Sequence, residues 1–399
     1  MKILYFGTVC NHEGYDRLFE NSKCKPSVAP LVFETALLEG MYQNNANVQI
    51  HSFPMIPTFP NINKFFFGRE PERLSCGYEY RWLRTVNVPF LKQISRRMDA
   101  RRVLKKWCLE NKDDGVILLY SIPPFLAGDV VKHGKKYGVK TIAIVADLPR
   151  DMYINEKKRG IMYFMKKKYL NSSIKVQGKF DAYVYLTEAM RDVVAPDKPY
   201  IVMEGIADVS NVKPPSVSDK STPRAIMYAG MLHEKYGILN LLDAFEKLTA
   251  KDVELWLFGD GTAVAEIKKR AEVDRRIKFF GVAKREEILM YERRATLLVN
   301  PRDPSEDFTK YSFPSKTIEY MLSGTPLLTT RLKGIPEEYY SYVFCADSSS
   351  LEMARIIDTV LANSPNELNK IGERAQAFIV NRKNSNTQAA RIMNFLGEV

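Results

Sequence analysis

Short apolar runs alternate with longer segments of helical period along the chain. The runs are Lys2–Phe6, Val48–Phe53, Gly115–Tyr120, Val139–Val145, Asp181–Leu186 and Tyr200–Met203 in the first half. Ala225–Ala229, Val253–Phe258, Ile277–Phe280, Thr296–Asn300, Leu327–Thr330 and Val343–Cys345 follow in the second. Continuous apolar runs of this length suit parallel strands covered on both faces. Between them the spacing predicts helices at Pro30–Tyr42, Leu91–Asn111, Phe125–Tyr137, Glu156–Phe180, Leu239–Leu248, Ala263–Ala271, Glu286–Arg293, Leu351–Ala362 and Glu367–Leu396. In Leu91–Asn111 the apolar positions are Ile94, Met98, Val103, Leu104 and Trp107. The pattern predicts an α/β chain of two Rossmann-like, doubly wound domains facing across a cleft. Residues 1–205 make the first and 224–380 the second. Asp208, Ser210, Asn211, Pro214, Pro215, Ser216 and Ser218 mark a linker at 206–223. Pro54–Thr85 has neither period and is dense in Phe, Tyr, Trp and Arg. It reads as a loop packed by its own aromatics, or as an acceptor- or membrane-facing surface.

The chain is organised around residues 299–330. A strand ends at Asn300-Pro301, and a polar loop runs from Arg302 to Tyr311. Pro314 suits a first helical turn, with Ser312 or Phe313 as cap. Ile318, Met321 and Leu322 give that helix a buried face, and Gly324 and Pro326 end it. Ser315 and Lys316 fall in the first turn. A lysine there is unfavourable unless an anion is also present, so the arrangement suggests a phosphate site. Glu319, one turn on, can accept two hydrogen bonds from a ribose diol. The competing reading is a solvated Lys and Glu on an ordinary helix.

Tyr311-Ser-Phe-Pro-Ser-Lys-Thr-Ile-Glu319-Tyr-Met-Leu-Ser-Gly-Thr-Pro326 resembles the donor-binding segment of retaining glycosyltransferases of family 4, in particular the bacterial polysaccharide-assembly branch. The resemblance implies a GT-B fold, with residues 381–399 as a helix returning to the first domain. It implies donor contacts from Tyr311, Ser312, Phe313, Pro314, Ser315 and Glu319. Gly230-Met-Leu-His-Glu-Lys235-Tyr-Gly237 looks like the family's glycine loop, in which an arginine and a lysine hold the donor diphosphate. Gly230 and Lys235 match, whereas the arginine position is Met231. Asp260 and Val282 fall where the nucleotide and its base are expected. Glu319 matches the second glutamate of the E-x7-E motif, and Tyr311 stands in place of the first. Ala146-Asp147 occupies a position that often reads His-Asp, so Asp147 remains as an acceptor-side carboxylate. Its plain alternative is a helix cap. Gly7, at the end of the first strand, lies on the edge where open sheets bind ligands.

Composition adds bounds. The net charge of +12 admits nucleic acid, an anionic membrane surface or a phosphorylated substrate. Lys166–Lys168 beside Ile161, Phe164 and Met165 fits a basic amphipathic helix on an anionic membrane, or a core-facing helix with a solvated basic side. Five scattered cysteines lack CxxC spacing, which disfavours a zinc site or disulfide framework and suits a reducing cytoplasm. No apolar run reaches the roughly 20 residues of a membrane span. Met1-Lys-Ile-Leu-Tyr-Phe, followed at once by Gly7, reads as a strand and not as a signal peptide.

The absence of GxGxxG with its acidic partner disfavours a dinucleotide oxidoreductase, and the absence of GxxxxGK[ST] a P-loop enzyme. No DxD occurs, so Lys235, Lys316 and the helix start are expected to carry the diphosphate charge without a metal. The expected activity is retaining, metal-independent transfer of a sugar from a nucleotide diphosphate sugar, UDP-sugars favoured. The acceptor is a hydroxyl on a glycan or lipid-linked molecule in cell-surface polysaccharide or glycoconjugate assembly. Neither a cofactor nor nucleic acid enters this reading, and the expected location is the cytoplasm, with the inner face of the plasma membrane as an option within it. The alternatives are an epimerase or phosphorylase on the same fold, or a basic membrane- or nucleic-acid-binding protein with a disabled donor site.

Overall fold

In a computed structural model, the described residues are 1–11, 14, 29–68, 71–148, 168, 169 and 171–399. They form two units, Met1–Ile206 with Ser385–Val399, and Ala207–Asn384. Most of the basic segment 156–180, including Lys166 and Lys167, lies outside the described residues.

The first unit contains β1 (Lys2–Gly7), β2 (Asn47–Ser52), β3 (Phe66–Phe67), β4 (Pro71–Arg73), β5 (Glu79–Trp82), β6 (Thr85–Val86), β7 (Gly115–Tyr120), β8 (Lys140–Val145), β9 (Ala182–Tyr185) and β10 (Tyr200–Val202). Among its helices are α1 (Ala29–Gln43), α2 (Leu91–Glu110), α3 (Ala127–Tyr137) and α4 (Met190–Val194). The main sheet runs 10-9-8-7-1-2-5-4 and is parallel except where β4 meets β5. β7, Gly-Val-Ile-Leu-Leu-Tyr, is buried at every position, as a strand with both faces covered requires. The strand order reverses between β1 and β7, whose strands end at Gly7 and Tyr120.

Two parts of this unit differ from the sequence reading. The 54–85 stretch is not all loop. β5 joins the sheet beside β2, and β3 pairs antiparallel with β6. Helix α2 also faces the other way over its first half. Ile94 and Met98 are exposed, whereas Lys92 and Arg96 are buried. The cause is a need for donors. Arg96 donates to the Pro54 carbonyl (2.8 Å) and to Thr85 Oγ1 (3.1 Å), and Lys92 donates to the Ile56 carbonyl. These contacts satisfy backbone that has no ladder partner. Burial lowers Lys92 to about 7 and Arg96 to about 10.

The C-terminal segment expected as one helix over Glu367–Leu396 is two, broken at Lys383-Asn384. The second, Ser385–Glu398, belongs to the first unit and packs on α1. A Cβ on Gly40 would lie 2.0 Å from the Ser385 carbonyl oxygen, so only glycine permits that approach.

The second unit contains β11 (Arg224–Ala229), β12 (Val253–Phe258), β13 (Ile277–Gly281), β14 (Leu297–Asn300), β15 (Leu327–Thr330) and β16 (Phe344–Ala346). Its helices are α5 (Ile238–Glu246), α6 (Val264–Val273), α7 (Arg285–Arg294), α8 (Lys316–Leu322), α9 (Ser350–Leu361) and α10 (Pro365–Arg382). All six strands are parallel, in the order 13-12-11-14-15-16. This is the doubly wound order 3-2-1-4-5-6, and its reversal lies between β11 and β14. The segment expected as a linker is strapped to this unit. Lys220 Nζ donates to the carbonyls of Arg293 and Ala295 and to Thr325 Oγ1, at 2.8–2.9 Å.

Candidate active site

The carboxyl ends of β11 and β14 position the residues singled out in the second unit. At the end of β11, the Gly230 N–H donates to the Phe258 carbonyl and the Leu232 N–H to the Asp260 carbonyl. Gly259 has φ +128°, and a Cβ there would stand 1.8 Å from the Gly230 carbonyl oxygen. The two turns are therefore in backbone contact. Asp260 serves this contact through its main chain, and its exposed carboxylate accepts from the Gly261 N–H (2.8 Å). Met231 is exposed. The loop then makes one 3-10 turn, Glu234–Tyr236, and reaches Gly237 at φ +81°. A Cβ on Gly237 would fall 1.8 Å from the Pro301 carbonyl oxygen. The glycine loop is thereby fixed against the chain leaving β14.

Where those segments meet, two cations share two rings. Lys235 Nζ lies 5.4 Å from the Tyr236 ring centre and 5.8 Å from that of Phe308. The Arg302 guanidinium lies 5.1 and 5.9 Å from the same rings. Tyr236 and Phe308 meet edge to face at 5.7 Å.

A second cluster sits on α8. The fully buried Tyr320 hydroxyl accepts from the Ala229 N–H (2.9 Å) and donates to the Ala229 carbonyl (3.2 Å), pinning α8 to the end of β11. Lys316 Nζ donates to Glu319 Oε1, and the Glu292 carboxylate lies 3.7 Å from it. Arg285 is 3.6 Å from the other Glu319 oxygen. Glu292 is fully buried, and its carboxyl is paired with that of Glu319 through a side-chain hydrogen bond. Desolvation, then repulsion from Glu319, pushes Glu292 well above the usual carboxylate range. Desolvation pushes Glu319 up too, but Lys316 and Arg285 outweigh it and its pKa is lowered. One carboxyl keeps its proton while its neighbour ionises.

The α8 geometry revises the helix-start argument. Pro314 lies outside the helix, Ser315 occupies the cap position without a side-chain cap bond, and Lys316 is the first helical residue. The helix has only 7 residues, and its lysine is already matched by Glu319. Its dipole is thus a weak source of anion binding. Lys235 and Lys316 belong to different clusters. Phe313 and Pro314 are buried, Phe313 against Tyr339 at 5.5 Å, so they form the wall behind the segment. Tyr311 and Ser312 are half-buried, and Ser315 and Val282 are exposed.

In the first unit, the crevice between β1 and β7 holds a residue the sequence reading passed over. A Cβ on Gly7 would lie 1.9 Å from Glu34 Oε2. Glu34 is fully buried and accepts from the Tyr5 hydroxyl (2.7 Å), the Thr8 N–H (2.8 Å) and the Thr8 hydroxyl. Desolvation raises its pKa to about 7, against the lowering effect of those bonds. Asp147, exposed after β8, acts electrostatically on Tyr120 at the end of β7. Ala146 is half-buried against the core.

Glu34, Glu292, Arg302 and Tyr320 were missed as site residues. A signal existed for two of them. Glu34 is at helical spacing from Leu31, Leu37 and Leu38, and Glu292 from Ile288, so each is a carboxylate on a core-facing stripe.

These features define an α/β architecture of two units with mainly parallel sheets. Residues 223–363, within the second unit, match the family model described as Glycosyl transferases group 1. The whole chain has the GT-B fold. Among solved structures it is similar to Anabaena HepE in complex with UDP (15% identity, 100% of each chain covered, TM-score 0.60). It is also similar to sucrose-phosphate synthase from Thermosynechococcus elongatus (14% identity, 100% of this chain and 99% of that one, TM-score 0.65). The lipopolysaccharide outer core galactosyltransferase WaaB in apo form matches at 14% identity, with 100% and 99% coverage and a TM-score of 0.59. No curated protein matches the chain.

Proposed function

We propose that the protein is a retaining, metal-independent glycosyltransferase. It moves a sugar from a nucleotide diphosphate sugar, UDP-linked by preference, to a hydroxyl of a glycan or lipid-linked acceptor. The observation that carries the reading is the convergence at the β11–β14 reversal of the glycine loop with Lys235 and of α8 with Lys316 and Glu319, in a unit matching the group 1 family. Glu319, held ionised, accepts from the ribose hydroxyls. Lys235 and Lys316 offset the charge that grows on the leaving diphosphate. Their partners differ, so they act from separate places. Asp147 and the Gly7 edge serve the acceptor. A front-face path, with the leaving phosphate taking the acceptor's proton, asks for no protein nucleophile.

The work surface in this proposal is an anionic membrane. Phe66, Phe90 and, on α2, Leu91, Ile94 and Met98 are exposed, as are Arg102 and Lys105 on α2. No helix among the described residues is long and apolar enough to cross a membrane.

Thermal-shift titration with UDP, GDP, ADP and their common sugars tests the donor. A ligand that binds the native state raises the melting temperature by mass action. The preferred donor is then incubated with lipid-linked and glycan acceptors, and NMR of the product reads the anomeric configuration. Release of a free epimerised sugar nucleotide, or no response to any nucleotide, overturns the proposal.

A further inference from the structure

The glycine loop lacks an arginine at 231, yet an arginine stands beside it on another segment. Arg302 follows Pro301 at the carboxyl end of β14, where the strand order reverses. Its carbonyl accepts from the Thr330 hydroxyl, which ties its backbone to the end of β15. Its guanidinium lies over Tyr236 and Phe308, the rings that also carry Lys235. Nη1 is shut off from solvent and has no hydrogen-bond partner. A buried polar atom without a partner is costly, and a buried charge more so. Ring faces offset part of that cost but offer no acceptor to an N–H.

Resting on the function proposed above, we infer that Arg302 is a ligand of the donor diphosphate and takes the place left open by Met231. Two planar donors of a guanidinium match two phosphate oxygens, which a lysine does not. The arginine thus supplies the fork and Lys235 a second charge beside the same aromatic pair. The electrostatics agree. Burial lowers the guanidinium's pKa, the Tyr228 and Tyr236 hydroxyls oppose that shift, and no carboxylate contributes. It stays charged at neutral pH and lacks only an anion.

Calorimetry on the full chain tests the assignment with UDP, uridine and inorganic pyrophosphate, and with the guanosine and adenosine counterparts in parallel. Arg302→Met keeps the length and removes the charge. It is expected to weaken UDP about ten- to a hundred-fold and to leave uridine unchanged. Arg302→Lys should fall between. Wild-type affinity of Arg302→Met for UDP overturns the inference alone. So does parallel loss of UDP and uridine, which is the mark of a merely structural arginine. Loss of pyrophosphate binding with UDP binding intact assigns the residue to another diphosphate and overturns the link to the donor. If the wild type binds none of the nucleoside diphosphates, the proposed function falls and this inference with it.

Discussion

Replacing Glu34 by glutamine should change how stability depends on pH. The side chain has no exposure, and its pKa is raised from 4.5 to about 7. A carboxyl with a native pKa above its unfolded value holds its proton more tightly when folded. Between the two values the native chain therefore binds more protons than the unfolded chain, and stability falls as pH rises. The contribution is fully present below about 4.5 and is gone above about 7. At roughly 1.4 kcal/mol per pKa unit, the loss across the window is about 3 kcal/mol. Glutamine is the same size and uncharged, so the variant should lack this slope. His51, drawn down to about 4 by burial, slopes the other way, but it is common to both proteins and cancels in the difference. Urea unfolding in a Trp256→Phe background isolates the first unit, because the remaining tryptophans, Trp82 and Trp107, both belong to it. Wild type should lose about 3 kcal/mol relative to Glu34→Gln from pH 4.5 to 7. A difference that stays constant with pH would refute the claim that Glu34 is buried with a raised pKa.

Glu319→Ala should weaken nucleoside diphosphate binding by about 1.5–3 kcal/mol in calorimetry, and unchanged affinity would remove it from the ribose. Lys235→Ala and Lys316→Ala should each lower turnover roughly 10²–10³-fold with a smaller effect on donor affinity, and a full-rate variant would release that lysine from leaving-group duty. Gly237→Ala should cost more than about 1 kcal/mol, because φ is +81° and Pro301 occupies the Cβ position; an unshifted melting curve would contradict that packing. Ile94→Asp with Met98→Asp should abolish sedimentation with anionic vesicles at low salt and leave folding intact, since both side chains are exposed; wild-type sedimentation would place the membrane face elsewhere.

The parallel strands were legible because their apolar runs are bounded by glycine, proline and asparagine. Gly115–Tyr120 and Val253–Phe258 agree with the sequence reading to the residue. Helix α2 was misread for a physical reason. Period arguments assign polar residues to water, whereas Lys92 and Arg96 are drawn inward by carbonyls at Ile56 and Pro54. Those acceptors come from chain remote in sequence, which no local pattern can reveal. The 311–326 segment was legible as a loop and a short helix bearing Lys316 and Glu319, but their link to Glu292 was not. Glu292 lies on a helix of mostly charged residues, and its burial follows from how α7 packs. Arg302 looked like the first residue of a polar loop. Its meaning depends on rings that come together only when two loops meet.

The ends of the second unit lie side by side. The Ala207 N–H donates to the Lys383 carbonyl at 2.8 Å, and Ala207 bridges Asn384. The first unit, by contrast, is split and recruits residues 385–399 from the far end of the sequence. Order of synthesis and order of completion are therefore reversed. As the chain leaves the ribosome, the unit begun second has all its residues first, and its closed ends allow it to fold as an insert. The unit begun first waits with the Gly40 face of α1 bare until its last helix is made. A ribosome stalled before residue 385 should hold a finished second unit on an unfinished first one, a state open to chaperone capture.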